Sequence, residues 1–310
     1  MKTLGERWLT EPVLAPIGDH STARLHVLAD VRPTSPGRLL TDCRTIAVAN
    51  QKGGVAKTTT VASLAAGLAE LGRRVLVVDL DPQACLTFSL GLDPDAVELS
   101  VHDVLLGRVS TAMAIQTTDD GIDLLPSTIE LAGTEAALLT RTGREYILRA
   151  ALEDVRPSYD LILLDCAPSL GVLTINALTA ADEVLVPLQC ETLSHRGVGQ
   201  LLDTVNDVQR LTNRGLKVLG VLPTLFDGRT THAREVLADV SNRYGLDVLE
   251  PPVAKSVRFA EAPAAGRSIL RTAGRTPGAQ AYRTLARRIA GEPEPAVLDV
   301  EADVTAAVSQ

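Results

Sequence analysis

No stretch of the sequence approaches the roughly 20 uninterrupted apolar residues that a membrane-spanning helix needs. The opening residues interleave Glu6, Arg7, Glu11, Asp19 and Arg24 with scattered apolar positions and hold no signal-peptide core. Both absences predict a cytoplasmic protein that does not engage a membrane. The four cysteines, Cys43, Cys85, Cys166 and Cys190, lie far apart and form no CxxC pair. That spacing excludes a disulfide framework and a zinc or iron-sulfur site, and leaves free thiols packed in or near the core. Excess positive charge is also missing: the formal net charge is -8, which argues against indiscriminate polyanion binding. The five histidines are scattered, with no Ser-His-Asp or Cys-His arrangement.

What is present is ordinary for a globular protein with a sizeable core: 310 residues, 45% hydrophobic and 22% charged. Residues 1–43 carry Pro12, Pro16, Pro33 and Pro36 without sustained periodicity, so they read as a flexible N-terminal extension, with Trp8, the only tryptophan, as its candidate anchor. Residues 291–310 contain acids, no base and the Pro293/Pro295 pair, the composition of a disordered acidic tail. Between them, residues 44–290 alternate short β-branched apolar runs with helical patterns. Thr45–Ala49, Arg74–Asp79, Ile122–Pro126, Leu161–Asp165, Glu183–Pro187 and Val218–Leu222 read as strands buried on both faces. Helices are expected at Thr58–Leu71, Ile175–Ala181, Gly197–Leu211 and Thr231–Tyr244. The alternation predicts an α/β fold, a doubly wound, mostly parallel sheet with helices on both faces. Ligands bind such sheets at the carboxyl ends of the strands.

The segment Asn50-Gln-Lys-Gly-Gly-Val-Ala-Lys-Thr-Thr59 follows the first strand and opens the first helix, a context in which backbone N–H groups and the helix dipole face an anion. It departs from the Walker pattern GxxxxGK[ST], because Gln51 and Ala56 stand at its two glycine positions. It does match KGGxxK[ST], the deviant Walker A loop of the ParA/MinD group of P-loop ATPases, and the chain resembles the ParA/Soj family over roughly residues 44–290. The resemblance implies ATP and Mg2+ as cofactors, with Lys52, Gly53, Gly54, Val55, Ala56, Lys57, Thr58 and Thr59 forming the phosphate cradle. Lys57 would contact the β- and γ-phosphates, Thr58 would ligate Mg2+, and Lys52 would reach across a sandwich dimer to the partner's nucleotide. Ala56 is neutral if its φ is negative and costs about 1 kcal/mol if its φ is positive.

Val78-Asp-Leu-Asp-Pro-Gln83 resembles the family's first switch. There Asp81 would position the attacking water and Asp79 would support Mg2+ through its water shell. Leu161-Ile-Leu-Leu-Asp165 is a Walker B strand in pattern. A carboxylate at the mouth of an apolar strand calls for a cation or donors, so Asp165 is a third metal-site candidate. The following residues to Gly171 resemble the second switch, and Glu191 falls in a Q-C-E segment near the dimer nucleotide site. With no strong general base beside the loop, hydrolysis would be slow unless a partner assists.

Further on, Thr224-Leu-Phe-Asp-Gly-Arg229 and the stretch from Pro251 to Pro263 resemble the family's adenine-proximal segments, which makes Thr224 and Pro252 candidates. From Lys255 to Arg288 there are eight basic residues against one acid. By resemblance, Lys255, Arg258, Arg267 and Arg271 are candidates for nonspecific DNA contacts. The function implied is an ATP-dependent homodimer that holds nucleoid DNA without sequence preference and hydrolyses ATP when a ParB-like protein stimulates it, in chromosome or plasmid segregation. A MinD-like membrane-positioning ATPase would need a basic amphipathic C-terminal helix. A nucleotide-dependent scaffold for chromosome-organising proteins would give no Mg2+-dependent turnover.

Overall fold

The computed structural model describes residues 43–191 and 194–293. The extension with Trp8, and the tail beyond Pro293, lie outside the described residues. The strands are β1 (Arg44–Val48), β2 (Val75–Leu80), β3 (Gln116–Thr117), β4 (Asp123–Leu125), β5 (Leu161–Cys166), β6 (Glu183–Gln189) and β7 (Lys217–Thr224). They form one sheet in the order β3-β4-β2-β5-β1-β6-β7. Every pairing is parallel except β3 with β4. The doubly wound sheet expected from the sequence is therefore present, with one addition, the two-residue antiparallel edge strand β3.

Period-two alternation divides the strand side chains between two cores. In β5, Ile162, Leu164 and Cys166 join one apolar cluster, while Leu161 and Leu163 join the other. β2 does the same, with Leu76, Val78 and Leu80 on the first face and Val75 and Val77 on the second. The helices Val172–Ala180 and Ser194–Leu211 cover the first face. Helix α1 (Lys57–Glu70) and the helix Pro277–Ala290 cover the second. Burying each large aliphatic residue in these layers contributes about 1.5–3 kcal/mol.

Helix Pro277–Ala290 begins where Thr276 accepts from the Ala279 amide at 3.4 Å with Pro277 at the first turn, and ends at Gly291 with φ 69°. It packs hard on α1: a Cβ at Gly67 would lie 2.8 Å from the Ala286 Cβ. The Thr60 and Tyr282 hydroxyls meet between the two helices at 3.0 Å. Just past the helix, Glu292 pairs with Arg73 at 2.8 Å.

Candidate functional site

β1 lies between β5 and β6, so the loop that follows it rises from the middle of the sheet at the carboxyl ends of the strands. Asn50 anchors the loop. Its buried amide donates to the Pro187 carbonyl on β6 at 2.7 Å, and its Oδ1 accepts from the Lys52 amide at 3.0 Å. Gly54 and Ala56 both adopt left-handed backbone, with φ 74° and 65°. At Ala56 this is the costlier of the two cases above, since glycine would take that conformation without a Cβ penalty. Ala56 nevertheless starts α1 cleanly, its carbonyl accepting from the Thr60 amide at 2.9 Å. Left-handed residues in such a loop turn successive N–H groups toward a common centre, the geometry of an anion nest.

Lys57 is buried, and its Nζ donates back to the Lys52 carbonyl at 3.1 Å. Burial lowers its pKa, and the Asp165 carboxylate is the largest opposing influence. Asp165, at the end of β5, is fully buried, and neither carboxylate oxygen has a partner at hydrogen-bond geometry. Its pKa is raised, first by burial and then by the Asp79 carboxylate, while the Thr58 hydroxyl and the Lys57 ammonium favour its charged form. Register explains the crowding: Asp79 of β2 is the direct neighbour of Asp165 across the parallel ladder.

Asp79 is equally buried but well supplied with donors. Its Oδ2 accepts from the Thr87 amide at 2.9 Å and the Thr87 hydroxyl at 2.8 Å, and its Oδ1 accepts from the Asp81 amide at 3.1 Å. Burial still raises its pKa. Asp81 is half-buried, and its Oδ1 accepts from the Gln83 amide at 2.9 Å. A buried carboxylate with two idle oxygens, beside a second carboxylate, a threonine hydroxyl and an ammonium, suits a hydrated divalent cation that a polyphosphate helps to hold. No group of three or more His, Cys, Asp or Glu side chains able to hold a metal occurs among the described residues. A cation here would therefore take most of its ligands from phosphate and water.

The loop also touches its neighbours. A Cβ at Gly53 would lie 3.9 Å from the Pro168 Cβ in the segment after Asp165. The Lys52 ammonium pairs with the Glu191 carboxylate at 2.5 Å, on the exposed rim.

The family comparison agrees with this geometry. A family model described as an AAA domain matches residues 43–218. The sporulation initiation inhibitor protein Soj of Bacillus subtilis is 44% identical over 246 residues, which cover 79% of this chain and 97% of that protein. The chain belongs to the ParA/Soj family. The chromosome partitioning protein ParA of Caulobacter vibrioides is 41% identical over 249 residues, covering 79% of this chain and 93% of its own length. A solved structure from Mycobacterium smegmatis, described as cobyrinic acid a,c-diamide synthase with bound ATP analog and magnesium, is 57% identical with a TM-score of 0.74. It covers 80% of this chain and 94% of that one. The sheet and loop are thus those of a P-loop ATPase of the ParA/Soj chromosome-partitioning family.

The remaining candidates sit farther from the carboxylates. Thr224 is fully buried, and its hydroxyl donates to the Val55 carbonyl at 2.9 Å. Its side chain is thus committed to holding the phosphate loop. Pro252 is exposed, beside a segment whose Val253 amide donates to the Pro223 carbonyl at 2.8 Å. Among the proposed DNA contacts, Lys255, Arg258, Arg267 and Arg271 are all exposed. Arg258 pairs with Glu261 at 2.7 Å, Arg267 with Asp119 at 2.7 Å and Arg271 with Asp120 at 3.8 Å. The basic excess of that stretch is therefore partly neutralised by acids from another part of the chain. Elsewhere in it, Arg283 forms a two-pronged pair with Glu70 at 2.6 and 2.9 Å.

Sequence reasoning passed over Asn50, Thr87 and Ser127. Asn50 stands two residues before the KGGxxK[ST] motif that begins at Lys52. Thr87 and Ser127 carried no signal of their own, because what makes them matter is contact with Asp79 and Asp81 across the fold.

Proposed function

We propose that this protein binds ATP with Mg2+ in the loop Lys52–Thr59 and hydrolyses it slowly as the timing step of a DNA-segregation cycle. Lys57 would move from the Lys52 carbonyl to the β- and γ-phosphates, and Thr58 would turn its hydroxyl to the cation. Asp165, with Asp79 behind it, would hold that cation through water, and Asp81 would orient the attacking water. Mg2+ bound there would offset the charge that builds on the phosphoryl oxygens. Lys52 would leave Glu191 for the nucleotide of a second subunit, coupling dimerisation to the triphosphate. The cytoplasmic dimer would hold nucleoid DNA through Lys255, Arg258, Arg267 and Arg271, with a ParB-like partner stimulating hydrolysis and release. Exposed ion pairs are worth at most about 1 kcal/mol, so exchanging a carboxylate for a DNA phosphate costs these arginines little.

The observation that carries this reading is the register-matched pair Asp79 and Asp165, one satisfied and one without partners, beneath a lysine-bearing loop. It supports a site completed by a metal and a polyphosphate. The 57% identity to the structure described as cobyrinic acid a,c-diamide synthase favours a second reading, formation of an amide. If glutamine supplied the nitrogen, that chemistry would need a thiolate nucleophile. Here Cys43 and Cys166 are buried, and the thiol pKa is raised at both, at half-buried Cys190 and at exposed Cys85, where the Asp81 and Asp79 carboxylates add to the desolvation, which supports the segregation reading instead. A MinD-like membrane role would use a basic amphipathic C-terminal helix, and residues 292–310 are instead acidic and interrupted by Pro293 and Pro295.

The test is DNA retention as a function of salt with ATP, with ADP and with a Lys52→Ala variant, alongside Mg2+-dependent phosphate release. Retention that needs ATP and Lys52, and fades steeply with salt, is expected. Equal retention in all three removes the switch, and absence of Mg2+-dependent release leaves the scaffold alternative.

A further inference from the structure

Ser127 follows β4 by two residues, is fully buried, and binds the first switch at two points. Its hydroxyl donates to the Asp81 carbonyl at 2.8 Å. Its amide donates to the Thr87 hydroxyl at 2.9 Å, and that hydroxyl in turn donates to Asp79 at 2.8 Å. The other acceptor within reach of the Ser127 hydroxyl is the Thr128 carbonyl, at 3.5 Å, a far weaker contact. The Asp81 carbonyl also accepts from the Ala84 amide at 2.9 Å, and Ala84 holds left-handed backbone with φ 50°. The turn carrying Asp81 is thus fastened from within by Ala84 and from outside by Ser127.

We infer that Ser127 is a positioning residue for hydrolysis, fixing through the Asp81 backbone where the Asp81 carboxylate stands relative to the phosphate loop. This rests on the proposed role of Asp81. The physical reason is leverage. Asp81 is half-buried at the end of a strand, its carboxylate accepts from the Gln83 amide of its own turn, and the backbone is therefore what sets its place. Ser127 is the side chain from a different strand end that grips that backbone. Displacing a water-orienting group by about 1 Å costs on the order of 100-fold in rate, so loss of one of two fastenings is expected to lower turnover about tenfold.

The experiment is a double-mutant cycle on the full-length protein. It combines Ser127→Ala and Asp81→Ala, singly and together, and measures single-turnover phosphate release and the equilibrium affinity for MgATP. Ser127→Ala is expected to slow release about tenfold, to leave affinity within about twofold, and to add nothing in the Asp81→Ala background. A structural defect would instead add to the Asp81 loss or weaken binding. Ser127→Cys preserves the packing with a poorer donor and is expected to fall between wild type and Ser127→Ala; it replaces the alanine variant if that one does not fold. Wild-type rates in both Ser127 variants, or an equal loss in both backgrounds, overturn the inference. If Asp81→Ala itself hydrolyses like wild type, the assigned role of Asp81 fails, and the inference falls with it by a separate, recognisable result.

Discussion

The charges at the centre of this molecule and those along its basic C-terminal stretch are held in opposite ways. At the ends of β2 and β5, Asp79 and Asp165 are fully buried and adjacent in register, and neither Asp165 oxygen has a partner at hydrogen-bond geometry. Along the stretch from Arg258 to Arg283, exposed or half-exposed guanidinium groups have found carboxylates: Glu261, Asp119, Asp120 and Glu70. Desolvating a charge without a partner costs several kcal/mol, roughly, whereas a solvated ion pair contributes little either way. The first arrangement is relieved by a proton or by a cation. The second is what any charged surface does, and its use for DNA has to be earned by experiment.

The contrast breaks most visibly at Lys57. Lys57→Ala is expected to lower MgATP affinity by more than about 100-fold, because it removes a buried ammonium from a site that concentrates negative charge. Titration with a fluorescent ATP analogue measures it, and near-wild-type affinity would remove the phosphate loop from the account. Asp165→Asn sharpens the comparison by giving effects of opposite sign. The melting temperature without nucleotide should rise by a few degrees, as an unpartnered buried charge disappears, while the stabilisation by MgATP, about 2.7 kcal/mol at a ligand concentration 100 times Kd, should be largely lost. A variant less stable than wild type without nucleotide would mean that Asp165 is satisfied by the protein itself.

Acidity offers a gentler probe. Burial raises the Asp79 pKa in the folded protein above its unfolded value, so the folded state binds that proton more tightly. The contribution is stabilising below the ordinary carboxylate range and is lost as pH rises from there toward neutrality. The nucleotide-free protein should therefore lose stability over that interval relative to Asp79→Asn. Parallel melting curves for the two across pH 4 to 7 would contradict the assignment. The smallest effect belongs to the surface. Asp119→Asn should change stability by less than about 0.5 kcal/mol and, by freeing Arg267, increase DNA retention at low salt by a fewfold. Unchanged retention would take Arg267 out of the proposed DNA face.

The sequence made the centre of this fold readable because the physics there is local. β1, β2 and β5 are continuous apolar runs, as strands buried on both faces must be, and Asp165 stood out as a carboxylate ending such a run. Helix Thr231–Tyr244 was expected and found with the same limits, bracketed by Thr230 as its cap and Gly245 with φ 63°. β3, at two residues, is too short to carry any periodicity. The sign of φ at Ala56 was likewise beyond a composition argument, since alanine favours the other region. Thr87 and Ser127 are 40 residues apart, and the Arg267–Asp119 pair spans 148. Such long-range contacts are set by topology rather than by pattern.

Because the phosphate loop springs from β1, with β5 and β6 zipped along both its edges, the floor beneath a bound nucleotide has almost no freedom to yield. In the proposed cycle, news of a departing phosphate would therefore travel sideways, through the rim where Gly53 abuts Pro168 and where Ser127 grips the turn of Asp81. A partner protein that needs to sense or hasten that departure would gain nothing by pressing on the sheet and everything by leaning on those two edges.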